Sequence, residues 1–284
     1  GTVTRGLCRF APNFSPRITA PYVGVKCHME LGAMKDNLGD YRIAAVSTLS
    51  EDLPEAYPGG PSHKAGTPMY QSSLVRNQNG ELVSLILPSS TAMALNQSLK
   101  AANRANELRK LITYISSSTP EGAGLAVLSE CHESLFDYFE ECMVAVTFAY
   151  QTLELFCNHS ISRHMKEGME IKRKKREFLS PSELERQLST EEKLSVVLPK
   201  VLKTSTPKGK RPWEPYKKLK VARDATIHMK YSDQQVLNSD TLYFQFLNNS
   251  DITIYPLASI QMLRWFTKEH SPRWLEKLSS EYGI

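Results

Sequence analysis

The stretch Arg223-Asp224-Ala225-Thr226-Ile227-His228 places a guanidinium, a carboxylate and an imidazole close together in a basic segment. A helix turns about 100° per residue, so Arg223 and His228 would lie about 140° apart around its axis. Asp224 would sit one turn before His228 on nearly the same face. These groups suit cleavage of RNA through its own 2′-hydroxyl, without a metal. An imidazole titrates near neutrality, and can take the 2′-hydroxyl proton or protonate the leaving 5′-oxygen. A guanidinium offers a rigid fork of donors to the non-bridging oxygens as charge builds on the phosphorane. Asp224 can orient the imidazole or hold the guanidinium, but a phosphate facing it would be repelled. The competing reading is structural: Arg223 pairs with Asp224 or Glu154, and His228 is half-buried and satisfied.

Arg211, Lys217, Lys218, Lys220 and Lys230 flank the motif as candidate RNA contacts. The chain carries a formal net charge of +5, yet residues 163–220 alone hold 17 Lys and Arg against 8 Asp and Glu. Such a concentrated excess fits a polyanion such as RNA, the alternative being a solvated linker. Trp213 and Tyr216, among Lys210, Arg211, Lys217 and Lys218, either stack bases or anchor the first turn of a helix. The run Lys172-Arg173-Lys174-Lys175-Arg176 is expected on a solvated helix face, with a nuclear-import signal as the weaker alternative. Cys27-His28, Cys131-His132 and Cys157-x-His159 lack zinc-finger spacing, so no metal site is expected. No nucleophile motif, P-loop or G-x-G-x-x-G is present, and no cofactor is expected.

Several elements must position these residues. Residues 1–88 form an irregular, β-containing N-terminal region of unknown role, with a strand expected over Tyr41–Val46. Asn79-Gly80, between Met69–Arg76 and Glu81–Leu87, signals a hairpin. Tyr57-Pro58-Gly59-Gly60-Pro61 breaks any regular element there. Ser89, Ser90 or Thr91 caps a helix expected to run to about Ser116, its stripe including Leu111, Ile112 and Ile115. From about Ser129 to Ser162, Leu135, Phe139, Met143, Val146, Tyr150, Leu153 and Cys157 repeat at three and four residues. This long helix would span roughly 50 Å. A polar, basic insert occupies 163–212, with short helix starts capped by Ser182 or Thr190. A helix over Trp213–Tyr231 follows, with Pro215 in its first turn. Leu242–Leu247 is apolar but unassigned. Helices close the chain over Leu257–Glu269 and from Arg273 to about Glu281.

Three anchors come in order: Leu153-Glu154-Leu155-Phe156-Cys157-Asn158, then Glu192-Lys193, then the Arg223–His228 helix. Over residues 130–270 this order resembles the HEPN superfamily, in which a helix with an L-E-x-F-x-N core precedes an E-K segment and an R-[ND]-x-x-x-H helix. Asp224 stands where many members have Asn. The resemblance implies a mainly α fold, with an HEPN-like helical bundle over 89–284 following the N-terminal region. It implies a toxin- or defence-type endoribonuclease, of use in phage defence or a stress response, with Arg223, Asp224 and His228 at its centre. Glu154 and Asn158 would support that site through partners on the Arg223 helix. It also implies a homodimer in which two such helices meet, and an antitoxin or regulatory protein as a further partner. Non-catalytic members that bind nucleotides or proteins give the alternative function.

With 41% hydrophobic and 23% charged residues the chain has the composition of an ordinary globular protein. No apolar run is long enough to span a membrane, and Thr2–Phe10 lacks a signal-peptide core. Five cysteines without CxxC spacing point to free thiols and a cytoplasmic setting.

Overall fold

A computed structural model describes residues 39–44, 46–55, 62–119, 122–172, 175–231 and 241–284. Cys8, Cys27, His28, Tyr57–Pro61, Arg173 and Lys174 lie outside the described residues. The chain divides into two units: Gly1–Met34 with Ser47–Met69, and Lys35–Val46 with Tyr70–Ile284. In the first, the described part is a short ladder closed by the Leu53–His63 bridge. The second is mainly α.

In chain order the described elements begin with strands β1 (Val46–Thr48) and β2 (Pro68–Tyr70), which lie mostly in the first unit, then β3 (Ser72–Arg76), β4 (Leu82–Ile86) and helix α1 (Ser90–Arg109). Strands β5 (Tyr114–Thr119) and β6 (Gly122–Val127), a 3-10 turn and the long helix α2 (His132–His164) follow. Next come β7 (Met169–Lys172), β8 (Arg176–Leu179), α3 (Pro181–Gln187), α4 (Thr190–Glu192), a π-helical turn (Lys193–Val197) and α5 (Leu198–Val201). Helices α6 (Trp213–Ile227), α7 (Leu242–Asn248), α8 (Ile254–Phe266) and α9 (Arg273–Glu281) complete it. Among the described residues each sheet is a two-stranded pair, and no larger sheet forms.

The core is built around α2, which touches α1, α3, α5, α6, α7 and α8. Small residues let α1 and α2 approach closely: Ala102 and Ala105 on one, Ala145 and Ala149 on the other, are fully buried. Two buried hydroxyls fasten the contact, Ser98 donating to the Ala145 carbonyl and Ser259 of α8 to that of Ala149, each at 2.7 Å. Both bonds reach helix carbonyls, which satisfies the hydroxyls in a dry interface. At the other end of α1, Arg109 reaches Tyr138 and the carbonyls of Phe246, Leu247 and Asn249, capping α7.

The expected α2 and α9 match what is observed, and α6 and α8 are displaced at their ends. On α2, Val146, Tyr150, Leu153 and Cys157 are buried as expected, but Leu135, Phe139 and Met143 are only half-buried. Tyr138, Cys142, Ala145 and Ala149 carry the stripe there instead, because the helix drifts relative to a strict heptad. The hairpin forms as β3–β4, with Gly80 at φ +80° closing the turn over Asn77. Leu242–Leu247 proves to be helical, as α7.

Four expectations are corrected. Tyr41 and Arg42 form a turn and the strand begins only at Val46. The helix from Ser90 stops at Lys110, and Tyr114–Thr119 pairs with Gly122–Val127 as a hairpin. Tyr, Ile and a run of Ser favour the pleated geometry over a helix there. The caps of α3 and α4 are Ser180 and Ser189, each in a capping box with the glutamate three residues on. Lastly, the basic run over 172–176 is not on a helix: Lys172 and Arg176 are the end pair of the β7–β8 ladder.

Candidate functional site

Helix α6 enters the core through Trp213, Tyr216, Leu219 and Ala222, all buried. Trp213 and Tyr216 lie 5.2 Å apart ring to ring, and Tyr216 stacks on Tyr150 of α2. They are hydrophobic anchors, and neither is available to stack a base. Pro215 falls in the first turn, where no intrahelical acceptor is owed to it.

One turn beyond Leu219 the guanidinium of Arg223 lies 3.8 Å above the Tyr150 ring. A cation over an aromatic face is attracted by the ring's quadrupole. Its Nη1 also donates to Asp224 Oδ1 at 2.9 Å. Stacking and ion pair together fix the fork at the α2–α6 contact, with the side chain 25% exposed. Arg223 Nε is buried and has no hydrogen-bond partner. A buried donor of this kind is uncommon and costs free energy unless an acceptor reaches it.

His228 is the residue at which α6 ends. Its backbone N–H still bonds to the Asp224 carbonyl at 2.9 Å, but φ −120° and ψ 41° have left the helix. The side chain is exposed. The imidazole is therefore not the half-buried group of the structural reading, whereas the Arg223–Asp224 pair of that reading is present. Arg223, Asp224 and His228 share the last turn and end of α6, and Arg223 alone is held on Tyr150, a residue whose role no motif announced.

The supporting residues are placed differently. Asn158 Oδ1 accepts from Lys193 Nζ at 2.8 Å, and the same ammonium donates to the Glu185 carbonyl at 2.6 Å. Lys193 is 1% exposed. Asn158 thus serves the π-helical turn, and its partner is not on α6. Glu154 points outward and is exposed.

The flanking cations divide into two groups. Lys220 bonds to Glu191 at 2.7 Å, and that carboxylate holds its ammonium above the ordinary lysine range. Lys217 lies 3.8 Å from Glu214. Arg211, Lys218 and Lys230 are exposed. Two large aliphatic side chains of α6 are also exposed, Ile227 next to His228 at 53% and Val221 two turns earlier at 59%.

Among the described residues no group of three His, Cys, Asp or Glu side chains is placed to hold a metal ion. Cys157 is buried while His159 is on the outer side of α2, since neighbours two apart on a helix do not face each other. Among the described residues no helix is long and apolar enough to cross a membrane. Compared with protein-family models, with curated proteins and with solved structures, the chain matches none.

Proposed function

We propose that this chain is a metal-independent endoribonuclease of HEPN type, its helices forming an HEPN-like bundle, acting in the cytoplasm in defence or stress. The observation that carries the reading is Arg223: held from below by Tyr150 and from the side by Asp224, with a quarter of its side chain still open to solvent. A phosphate oxygen is the acceptor such a fork is shaped for. The exposed His228 at the same helix end supplies a proton carrier. Asp224 restrains the guanidinium and keeps its own charge compensated.

One imidazole cannot serve as both base and acid in a single step. A second copy, brought in as a symmetric dimer through the α6 ends, would provide the other. The exposed Ile227 next to His228 suits a contact between the helix ends of two copies. RNA is the proposed partner, and an antitoxin or regulatory protein would act by covering the same end.

RNA cleavage in EDTA, leaving 2′,3′-cyclic phosphate ends, is the expected activity. His228→Ala should lower it at least about a hundredfold, the usual worth of a general acid or base. Because the side chain is exposed, the melting temperature should barely move. Retained cleavage by purified His228→Ala protein would remove the catalytic role. The second reading is a non-catalytic binding module, favoured by the Arg223–Asp224 pairing, which already satisfies part of the fork. Binding of RNA without cleavage of any RNA supports that module. Light scattering at tens of micromolar tests the dimer.

A further inference from the structure

The β7–β8 hairpin is small, yet its two faces differ sharply. In the antiparallel register Met169 pairs with Leu179 and Ile171 with Glu177, and on this face Ile171 and Leu179 are both 5% exposed. They pin the ribbon to the core. Gly168 makes the close approach possible, since a Cβ there would fall 2.0 Å from the Leu179 carbonyl oxygen. The other face pairs Glu170 with Phe178 and Lys172 with Arg176. Phe178 is 69% exposed, and Lys172 and Arg176 are also in solvent. Phe178 therefore stands exposed across from Glu170, with Lys172 and Arg176 on the same face toward the hairpin end, on a ribbon held from behind.

Beside the ribbon lies an open cleft of about 650 Å³. Ile171, Leu188 and Val196 give it an apolar floor, and Lys172, Arg176 and Lys200 stand around it. Two acids also line it, but both are engaged: Glu170 is 3.5 Å from Arg176, and Glu192 closes the capping box on Ser189. The residue before Glu192, Glu191, bonds to Lys220 one turn before Asp224 on α6. The short segment α4 therefore borders the cleft on one side and the basic side of α6 on the other.

We propose that the outer face of β7–β8, with this cleft, is a platform for single-stranded RNA. Phe178 stacks one base, and Lys172, Arg176 and Lys200 contact neighbouring phosphates. Base–aromatic stacking tolerates any sequence, and the cations follow a backbone without reading it, so the platform captures strands regardless of sequence. An acidic peptide would use the same cations but would not need Phe178. The proposal rests on RNA being the substrate, and supplies a binding surface separate from the Arg223–His228 end.

Fluorescence anisotropy of a labelled oligouridine, titrated with the full-length chain at several salt concentrations, tests it. Phe178→Ala should weaken binding about tenfold and leave the salt dependence unchanged. The double variant Lys172→Ala/Arg176→Ala should flatten the slope of log affinity against log salt by about 1.4, at about 0.7 per lost phosphate contact. Both side chains are exposed, and circular dichroism confirms folding. If the wild type binds and cleaves RNA while Phe178→Ala and the double variant bind as it does, the platform is refuted and the cleavage reading stands. A wild type that binds no RNA overturns both. Weaker binding in the double variant with none in Phe178→Ala also refutes it, and leaves the cations as a general electrostatic patch.

Discussion

Arg223 is the residue where sequence and structure inform each other most directly. Its type and its distance from His228 mark it in the chain, but what orients it, the ring of Tyr150 one helix away, carries no local signature. Asn158 shows the opposite case. It stands out in the chain near Glu154, and its observed work is to accept from Lys193, whose ammonium is 1% exposed. A buried cation must keep its acceptors, because losing one leaves charge uncompensated in a poor solvent. Asn158→Leu, which keeps the volume and removes the oxygen, should therefore destabilise the protein by about 2–4 kcal/mol. Adding Lys193→Met to it should recover part of the loss, since the stranded charge is then gone. Urea denaturation of the single and double variants measures both. A double variant less stable than Asn158→Leu alone would show that the ammonium contributes something beyond its own satisfaction.

At the scale of elements, legibility followed length. The long α2 and the terminal α9 were visible because apolar spacing persists over several turns, which no strand can imitate. Of the short pieces, the β3–β4 hairpin was marked by its Asn79-Gly80 turn, but β5–β6 and β7–β8 were not. From Leu111 to Ile115 the apolar residues continue the helical stripe of α1, while Tyr, Ile and Ser prefer a strand; the hairpin β5–β6 forms because it can complete its hydrogen bonds locally. In β7–β8 the alternation Glu170-Ile171-Lys172 covers only a few residues, and the surrounding charge hides it. What ends α1 is also non-local: Arg109 turns away to cap α7 through three carbonyls and to reach Tyr138. Hydrogen bonds from a charged donor count for more than neutral ones. Arg109→Ala should cost about 2–3 kcal/mol. It should also raise amide hydrogen exchange in α7 ahead of α8, because α7 loses its cap. Uniform exchange across both helices would contradict a local role.

For the whole molecule, Lys193 apart, the titratable groups that burial shifts most are neutral acids that it keeps protonated. Burial pushes the Cys142 thiol up from 9.0 to about 12 and the Tyr255 phenol from 10.0 to about 12. The Cys157 thiol and the Tyr138 phenol move the same way for the same reason. Raised acids of this kind contribute fully below their unfolded-state values. Above those values the unfolded chain releases protons that the folded chain retains, so stability drains away as pH climbs. The Lys220–Glu191 pair adds a smaller loss of the same sign, screened by solvent. The window this sets opens near pH 9 and extends to about 12. Thermal melts at constant ionic strength should show a steady temperature from about pH 8 to about pH 9, then a progressive fall. Cys142→Ala should start lower, because it leaves a small void against α1, yet decline less steeply, because one of the retained protons is gone. A melting temperature unchanged up to about pH 11 would mean that these groups ionise as readily folded as unfolded. The core around α2 would then be open to water, and the support of Arg223 by Tyr150 would have to be rethought with it.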